Sequence, residues 1–188
     1  MPRIVDVDVR RDELAQAAAR VIARSGIGGA SMREVAAEAG WTTGTLVHYF
    51  ANKHELLRFT LEASLDRRRS RRVDAETAGP EVALRDALAG ALPIDEESRL
   101  HWLVTIAFCS QAASDGDLAL IQRDAYREFR THVAVLAAAS GRVDADASER
   151  EAERLIAQAD GIALQALFDP ASWPPERQVS ALDAALTS

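Results

Sequence analysis

The sequence predicts an all-α protein, and three observations carry that prediction. Apolar residues recur at three- and four-residue spacing almost from one end to the other, the period of a helix with one buried stripe. The apolar content, 48% of 188 residues, is mostly alanine and leucine, both strong helix formers, and alternating β-branched runs of strand length are absent. Between the periodic stretches stand glycines, prolines and capping residues, which start and stop helices. A chain of this length buries a sizeable core, as one domain or two small ones.

The first helix is expected from Val9 to Ser25, with Leu14, Ala17, Ala18, Val21 and Ile22 on its inner face. Gly26-Ile27-Gly28-Gly29 breaks it. This glycine string follows a helix and not a strand, and no Gly-Lys-Ser/Thr follows in register, so it reads as an elbow and not as a phosphate loop. Ser31 with Glu34 three residues later is a capping box that opens a second helix, whose buried stripe is Met32, Val35, Ala36 and Ala39. Gly40 can take the left-handed conformation that ends this helix, and Thr42 or Thr43 caps a third over Thr43 to Phe50, anchored by Leu46 and Phe50. A fourth, long helix runs from Asn52 and Lys53 to about Arg72, with Leu56, Leu57, Phe59, Thr60, Ala63 and Leu65 as its apolar contacts. Gly79-Pro80 marks a boundary. Five more helices are expected near 81–91, 95–114, 117–139, 147–168 and 175–186, separated by Pro93, Asp115-Gly116, Ser140-Gly141, Asp169-Pro170 and Pro174-Pro175, which makes about nine.

The segment Ser31 to Lys53 carries the function. Two short helices joined by a tight turn, the second bearing small polar residues, are how a protein presents a helix to the major groove of DNA. The run Gly44-Thr45-Leu46-Val47-His48-Tyr49-Phe50-Ala51-Asn52-Lys53 resembles the recognition helix of TetR-family transcriptional repressors, and the match continues upstream through Arg33-Glu34-Val35-Ala36 and Ala39-Gly40. Val47 departs from the pattern, standing where that family often has tyrosine; its methyls can meet a thymine methyl but cannot donate a hydrogen bond. The resemblance implies a three-helix helix-turn-helix domain over 1–53, a connecting helix over 53–72, and a helical ligand-binding and dimerisation domain over 73–188. It places Arg33, Thr42, Thr43, Gly44, Thr45, Val47, His48, Tyr49 and Lys53 at double-stranded DNA, with Gly44 permitting close backbone approach and Lys53 adding charge near the phosphates.

A net charge of −7 argues at first against a nucleic-acid partner, but the average hides a division. Residues 1–72 hold 13 Lys+Arg against 9 Asp+Glu, and the remainder 9 against 20. A basic head on an acidic body suits a protein that touches DNA with one end only. The late arginines Arg67-Arg68-Arg69 and Arg71-Arg72 read as a solvated helix end.

The body offers Trp102, Thr105, Phe108, Cys109, Tyr126, Phe129, His132, Asp160, Gln165 and Phe168 on three helices that surround a ligand cavity in the family, so an unknown small-molecule effector is expected there. Asp160-Gly161-Ile162-Ala163-Leu164-Gln165-Ala166-Leu167-Phe168-Asp169-Pro170 resembles the eighth helix of the BetI-type subgroup, some members of which act in choline and betaine metabolism. Asp160 among aromatics suits a cationic ligand, and equally suits hydrogen bonds to a neighbouring helix. A homodimer through 147–168 and 175–186 is expected. Leu155, Ala159, Ile162, Ala163, Ala166 and Leu167 form one stripe, Val179, Leu182, Ala185 and Leu186 a second, and two recognition helices about 34 Å apart would read a palindromic operator.

Cys109 lies in an apolar run and reads as a buried small hydrophobe; a lone cysteine makes no internal disulfide. No run is long and apolar enough to span a membrane and no signal-peptide core is evident, so the expectation is a cytoplasmic protein with no membrane partner. No catalytic motif occurs, and no cofactor or metal is expected. The competing readings are a helical protein–protein adaptor and a metal-responsive regulator using His101, Cys109 and His132.

Overall fold

A computed structural model describes residues 7–72, 74–113 and 115–187. Among them the chain forms α1 (Val7–Gly29), α2 (Met32–Glu38), α3 (Thr43–Leu46), α4 (Lys53–Ser70), α5 (Ala75–Ala78), α6 (Pro80–Ala89), α7 (Glu96–Ala112), α8 (Gly116–Ala139), α9 (Ser148–Phe168) and α10 (Pro175–Thr187), and no strand. Each of the nine expected helices is present. Two short turns were not anticipated: α5, capped by Asp74, whose side chain accepts from the Glu76 N–H at 3.0 Å, and a 3₁₀ turn over Ala145–Ala147. The expected end of the seventh helix at Ser114 lies outside the described residues.

The chain divides into two compact units, Met1–Arg67 with Leu103–Ile121, and Arg68–Trp102 with Gln122–Ser188. In the first, α1 buries Leu14, Ala17, Ala18, Val21 and Ile22 as expected, and packs against α2 through Val35 and Ala36. The elbow is real: Gly26 has φ 68° and interrupts an otherwise continuous α1. Phe50 and Leu46, fully buried, fasten the segment after α2 into the same core. Arg11 lies 4.8 Å from the Phe50 ring and 4.5 Å from Phe59, so a guanidinium stacks on both aromatics.

In the second unit α6, α9 and α10 pack together. The stripe Leu155, Ala159, Ile162, Ala163, Ala166 and Leu167 is buried inside this one subunit, as are Leu182 and Ala185. These residues are therefore the core that holds α9 within the unit and not a bare surface awaiting a copy. The face of α9 left open carries Ala157, Gly161, Leu164 and Phe168, spaced four, three and four residues apart, with Phe168 79% exposed.

Candidate nucleic-acid interface and effector region

The turn between α2 and α3 is fixed by side-chain chemistry at both ends. Ser31 Oγ accepts from the Glu34 N–H at 3.2 Å, and Glu34 Oε2 accepts from the Ser31 N–H at 3.3 Å, the reciprocal pair expected of a capping box. Hydrogen bonds from Ser31 hold the Glu34 carboxyl below its ordinary pKa. Arg20 donates to Glu38 at 2.8 Å, pinning the end of α2 to α1 and likewise depressing the Glu38 pKa. Gly40 takes φ 74°, a conformation a Cβ would strain, and lets Trp41 N–H reach back to Ala36 O at 2.8 Å. Thr42 is the cap of α3: its Oγ1 accepts from the Thr45 N–H at 3.1 Å and lies 2.9 Å from the Thr45 hydroxyl.

The third helix is shorter than expected. Regular α geometry ends at Leu46, and Val47 to Tyr49 continue as turns closed by His48 N–H to Thr45 O and Tyr49 N–H to Leu46 O. Two threonines and a glycine in its first turns are poor helix formers, so four residues are all that the cap and the Leu46 anchor sustain.

Thr42, Thr43, Gly44, Thr45, Val47 and His48 all face outward, with Val47 49% exposed. Arg33 is exposed and forms no ion pair among the described residues, so its charge is available for phosphate. Tyr49 is half-buried: its ring sits 5.5 Å from Trp41, which in turn lies 5.2 Å from the Arg10 guanidinium. Lys53 does not project freely either, because its Nζ donates to Ile27 O at 2.7 Å and ties the start of α4 to the elbow. Both residues thus hold the turn together in addition to any contact they make. Trp41 and Arg10 were missed from sequence; an aromatic set in a turn one residue after a left-handed glycine was the available signal.

The residues offered for the effector fall into three groups. Trp102, Thr105 and Phe108 are each buried, and the Trp102 indole N–H donates to Ala91 O at 2.6 Å. Gln165 and Phe168 face outward, and Gln165 donates to Gly161 O of its own helix. Tyr126 and Asp160 do meet, the Tyr126 hydroxyl donating to Asp160 Oδ2 at 3.0 Å, and Phe129 of the same unit is buried under the Arg68 guanidinium. Cys109 is exposed, contrary to the expectation of a buried thiol, because the buried face of α7 runs through Trp102, Thr105 and Phe108 and turns away from it.

The arginine cluster at the end of α4 also departs from expectation. It is no solvated end: Arg69 and Arg72 both reach Glu128, at 2.5 and 3.6 Å, and Arg71 reaches Asp95 at 2.6 Å. Arg68 lies 4.2 Å over the Phe129 ring. Periodicity could not show this, since the partners come from Asp95, just before α7, and from α8. Among the described residues no group of three His, Cys, Asp or Glu side chains is placed to hold a metal ion, and no helix is long and apolar enough to cross a membrane.

This geometry, a capped turn presenting a short polar helix, coincides with two family matches. The model described as "Bacterial regulatory proteins, tetR family" matches residues 14–58, and "BetI-type transcriptional repressor, C-terminal" matches 80–188. The chain belongs to the TetR family. Like its relatives it is a DNA-binding transcriptional regulator of helix-turn-helix type. The chain is 33% identical over 173 residues to the HTH-type transcriptional regulator PksA of Bacillus subtilis, covering 90% of this chain and 84% of that one. It is 28% identical over 187 residues to the regulator BetI of Vibrio atlanticus, covering 90% and 86%. Among solved structures, a transcriptional regulator from Rhodococcus sp. Rha1 superposes with TM-score 0.83 at 35% identity over 94% of each chain. A regulator from Saccharomonospora viridis in complex with choline shares the TetR fold with TM-score 0.85 at 22% identity, over 96% of each chain.

Proposed function

We propose that this TetR regulator is a repressor that binds a palindromic operator as a homodimer and leaves it when a small molecule occupies the C-terminal domain. The observation that carries the DNA half is the outward row Thr43, Gly44, Thr45, Val47 and His48 on a turn capped at both ends. Such a row reaches base edges without first reorganising, and Arg33 supplies a phosphate contact. The reading unit is assigned to 1–53, the connecting helix to 53–72 and the effector and dimer domain to 73–188. A repressor of this kind works at the chromosome, hence in the cytoplasm, and its relatives are regulators, which supports a non-enzymatic role.

Dimerisation is assigned to α9 and α10, within 147–168 and 175–186. Its support is the open stripe Ala157, Gly161, Leu164 and Phe168, where small residues let two helices approach and Phe168 gains burial. Release works through differential affinity: an effector that binds one arrangement of the body more tightly shifts the population toward it, and the half-site spacing is lost.

The experiment is binding of the purified chain to DNA flanking its own gene against an unrelated fragment of equal length, at two salt concentrations. Selective binding that weakens with salt is expected, and Arg33→Ala should lower the salt slope by about 1 while His48→Ala reduces selectivity. Equal weak binding to both fragments, with no response to either substitution, would favour a protein-binding adaptor. Tyr49 and Lys53 are poor choices for this test because each also braces the turn.

A further inference from the structure

In the C-terminal unit, Arg68 feels the charge of Asp160 but makes no direct contact with a carboxylate among the described residues. Its guanidinium lies 4.2 Å over the Phe129 ring, and among the described residues it makes no hydrogen bond and no ion pair. Arg72 sits over the same ring at 5.4 Å, with its Nε buried and unpartnered. Two guanidiniums sharing one aromatic repel each other, and burial together with that repulsion pushes the Arg68 pKa down to about 10. The nearby carboxylates are already engaged: Glu128 serves Arg69 and Arg72, and Asp160 accepts from the Tyr126 hydroxyl at 3.0 Å. Arg68 and Arg72 thus share the Phe129 face, and of the two only Arg72 directly contacts a carboxylate among the described residues. His132 adds a buried ring Nε2 with no partner, near Arg72, its pKa lowered by burial so that it presents a neutral imidazole.

We propose that this cluster is an anion site, and that the effector carries a carboxylate or a comparable oxyanion held by Arg68 above Phe129. The inference rests on the effector reading above and names the chemical class. A half-buried guanidinium that makes no hydrogen bond costs free energy that its stacking on Phe129 only partly offsets. A planar carboxylate meets its fork with two parallel hydrogen bonds and offsets the repulsion between the two guanidiniums. Phe129 floors the site, and a ligand hydroxyl or carbonyl can use His132. A quaternary ammonium fits worse, because it would sit against Arg68 and compete for an Asp160 that Tyr126 already holds. The choline seen in the Saccharomonospora viridis regulator therefore does not carry over to this chain.

The test is calorimetric titration of the full-length chain at constant ionic strength with sodium benzoate, with inorganic phosphate in a second arm and choline chloride in a third. Binding of benzoate, phosphate or both is expected; benzoate alone identifies an organic carboxylate, phosphate alone an inorganic oxyanion. Arg68→Gln should raise the dissociation constant about tenfold or more, and Arg68→Lys, which keeps the charge but loses the fork, should fall between. Without ligand, Arg68→Gln should melt at or above the wild-type temperature, since a half-buried cation that makes no hydrogen bond has been removed. Failure of both anions to bind, binding indifferent to Arg68→Gln, tight choline binding, or a lower melting temperature for Arg68→Gln would each overturn the assignment. Release of DNA is measured separately. An anion that binds through Arg68 yet leaves the protein on its operator keeps the site and refutes only the effector reading.

Discussion

Thr42→Ala is the substitution whose consequence follows most directly from the structure. The Thr42 hydroxyl accepts from the Thr45 N–H at 3.1 Å and meets the Thr45 hydroxyl at 2.9 Å, and it is the side-chain cap of a helix only four residues long. Loss of a threonine cap costs about 1 kcal/mol. In a longer helix the remaining hydrogen bonds would absorb part of that loss, but here most of the backbone N–H groups are in the first turn and depend on it. For a chain of this size about 1 kcal/mol lowers the melting temperature by roughly 2–4 °C. If the loss falls on the population of the DNA-competent turn, it weakens operator binding by about fivefold. Fluorescence anisotropy on an operator fragment and thermal unfolding by circular dichroism measure the two effects. Thr42→Asn is the control, since asparagine caps at least as well as threonine while changing the surface group. Unchanged affinity in Thr42→Ala would refute the reasoning. So would failure of Thr42→Asn to restore it, because the residue would then act through a direct DNA contact.

Gly40→Ala meets no neighbour within 4 Å, so its cost comes from φ 74° alone, about 1–2 kcal/mol, and Gly40→Asn should recover part of it; denaturant melts separate the two. Leu164→Arg should convert a dimer to a monomer in sedimentation while preserving helicity, whereas Leu155→Ala, inside the subunit, should destabilise by about 2–5 kcal/mol; the opposite pattern would place the interface elsewhere. Glu151 is held at about 2 by hydrogen bonds from Arg154 and then Arg142, so its folded pKa lies below the ordinary 4.5. The folded state then binds fewer protons than the unfolded one, and the stabilisation is complete above 4.5 and disappears as the pH falls toward 2. Acid unfolding of Glu151→Gln should show a shallower dependence in that window, and an unaltered acid limb would contradict the pairing.

Much of the reading head was legible in the sequence because its determinants are local. A capping box needs two residues three apart, a helix stop needs a glycine, and an anchored short helix needs apolar residues at four-residue spacing; Ser31, Glu34, Gly40, Leu46 and Phe50 state all of these without reference to the rest of the chain. The length of α3 was overestimated because Leu46 and Phe50 satisfy helical spacing even when the residues between them follow a looser turn. The effector region was less legible. Tyr126, Phe129 and Asp160 were named together, and Phe168 and Gln165 were named with them because the run 160–170 resembles a cavity helix of the family, but their direction depends on which face of α9 is buried. Arg68 and Arg72 were taken for a solvated end, since nothing in Arg67-Arg68-Arg69 and Arg71-Arg72 distinguishes a stacked guanidinium from a free one.

The sequence by itself determined that this is a helical regulator with a helix-turn-helix head, and which caps and anchors build the turn inside that head. Those properties follow from hydrogen bonds and periodicities that close within one or two helical turns. Only the tertiary structure decided that the conspicuous stripe on α9 is core, that Lys53 and Tyr49 brace the turn, and that Arg68 stacks over Phe129. Each depends on a partner outside the residue's own helix, and a side chain's charge or apolar character is the same in the sequence whether that partner is present or absent.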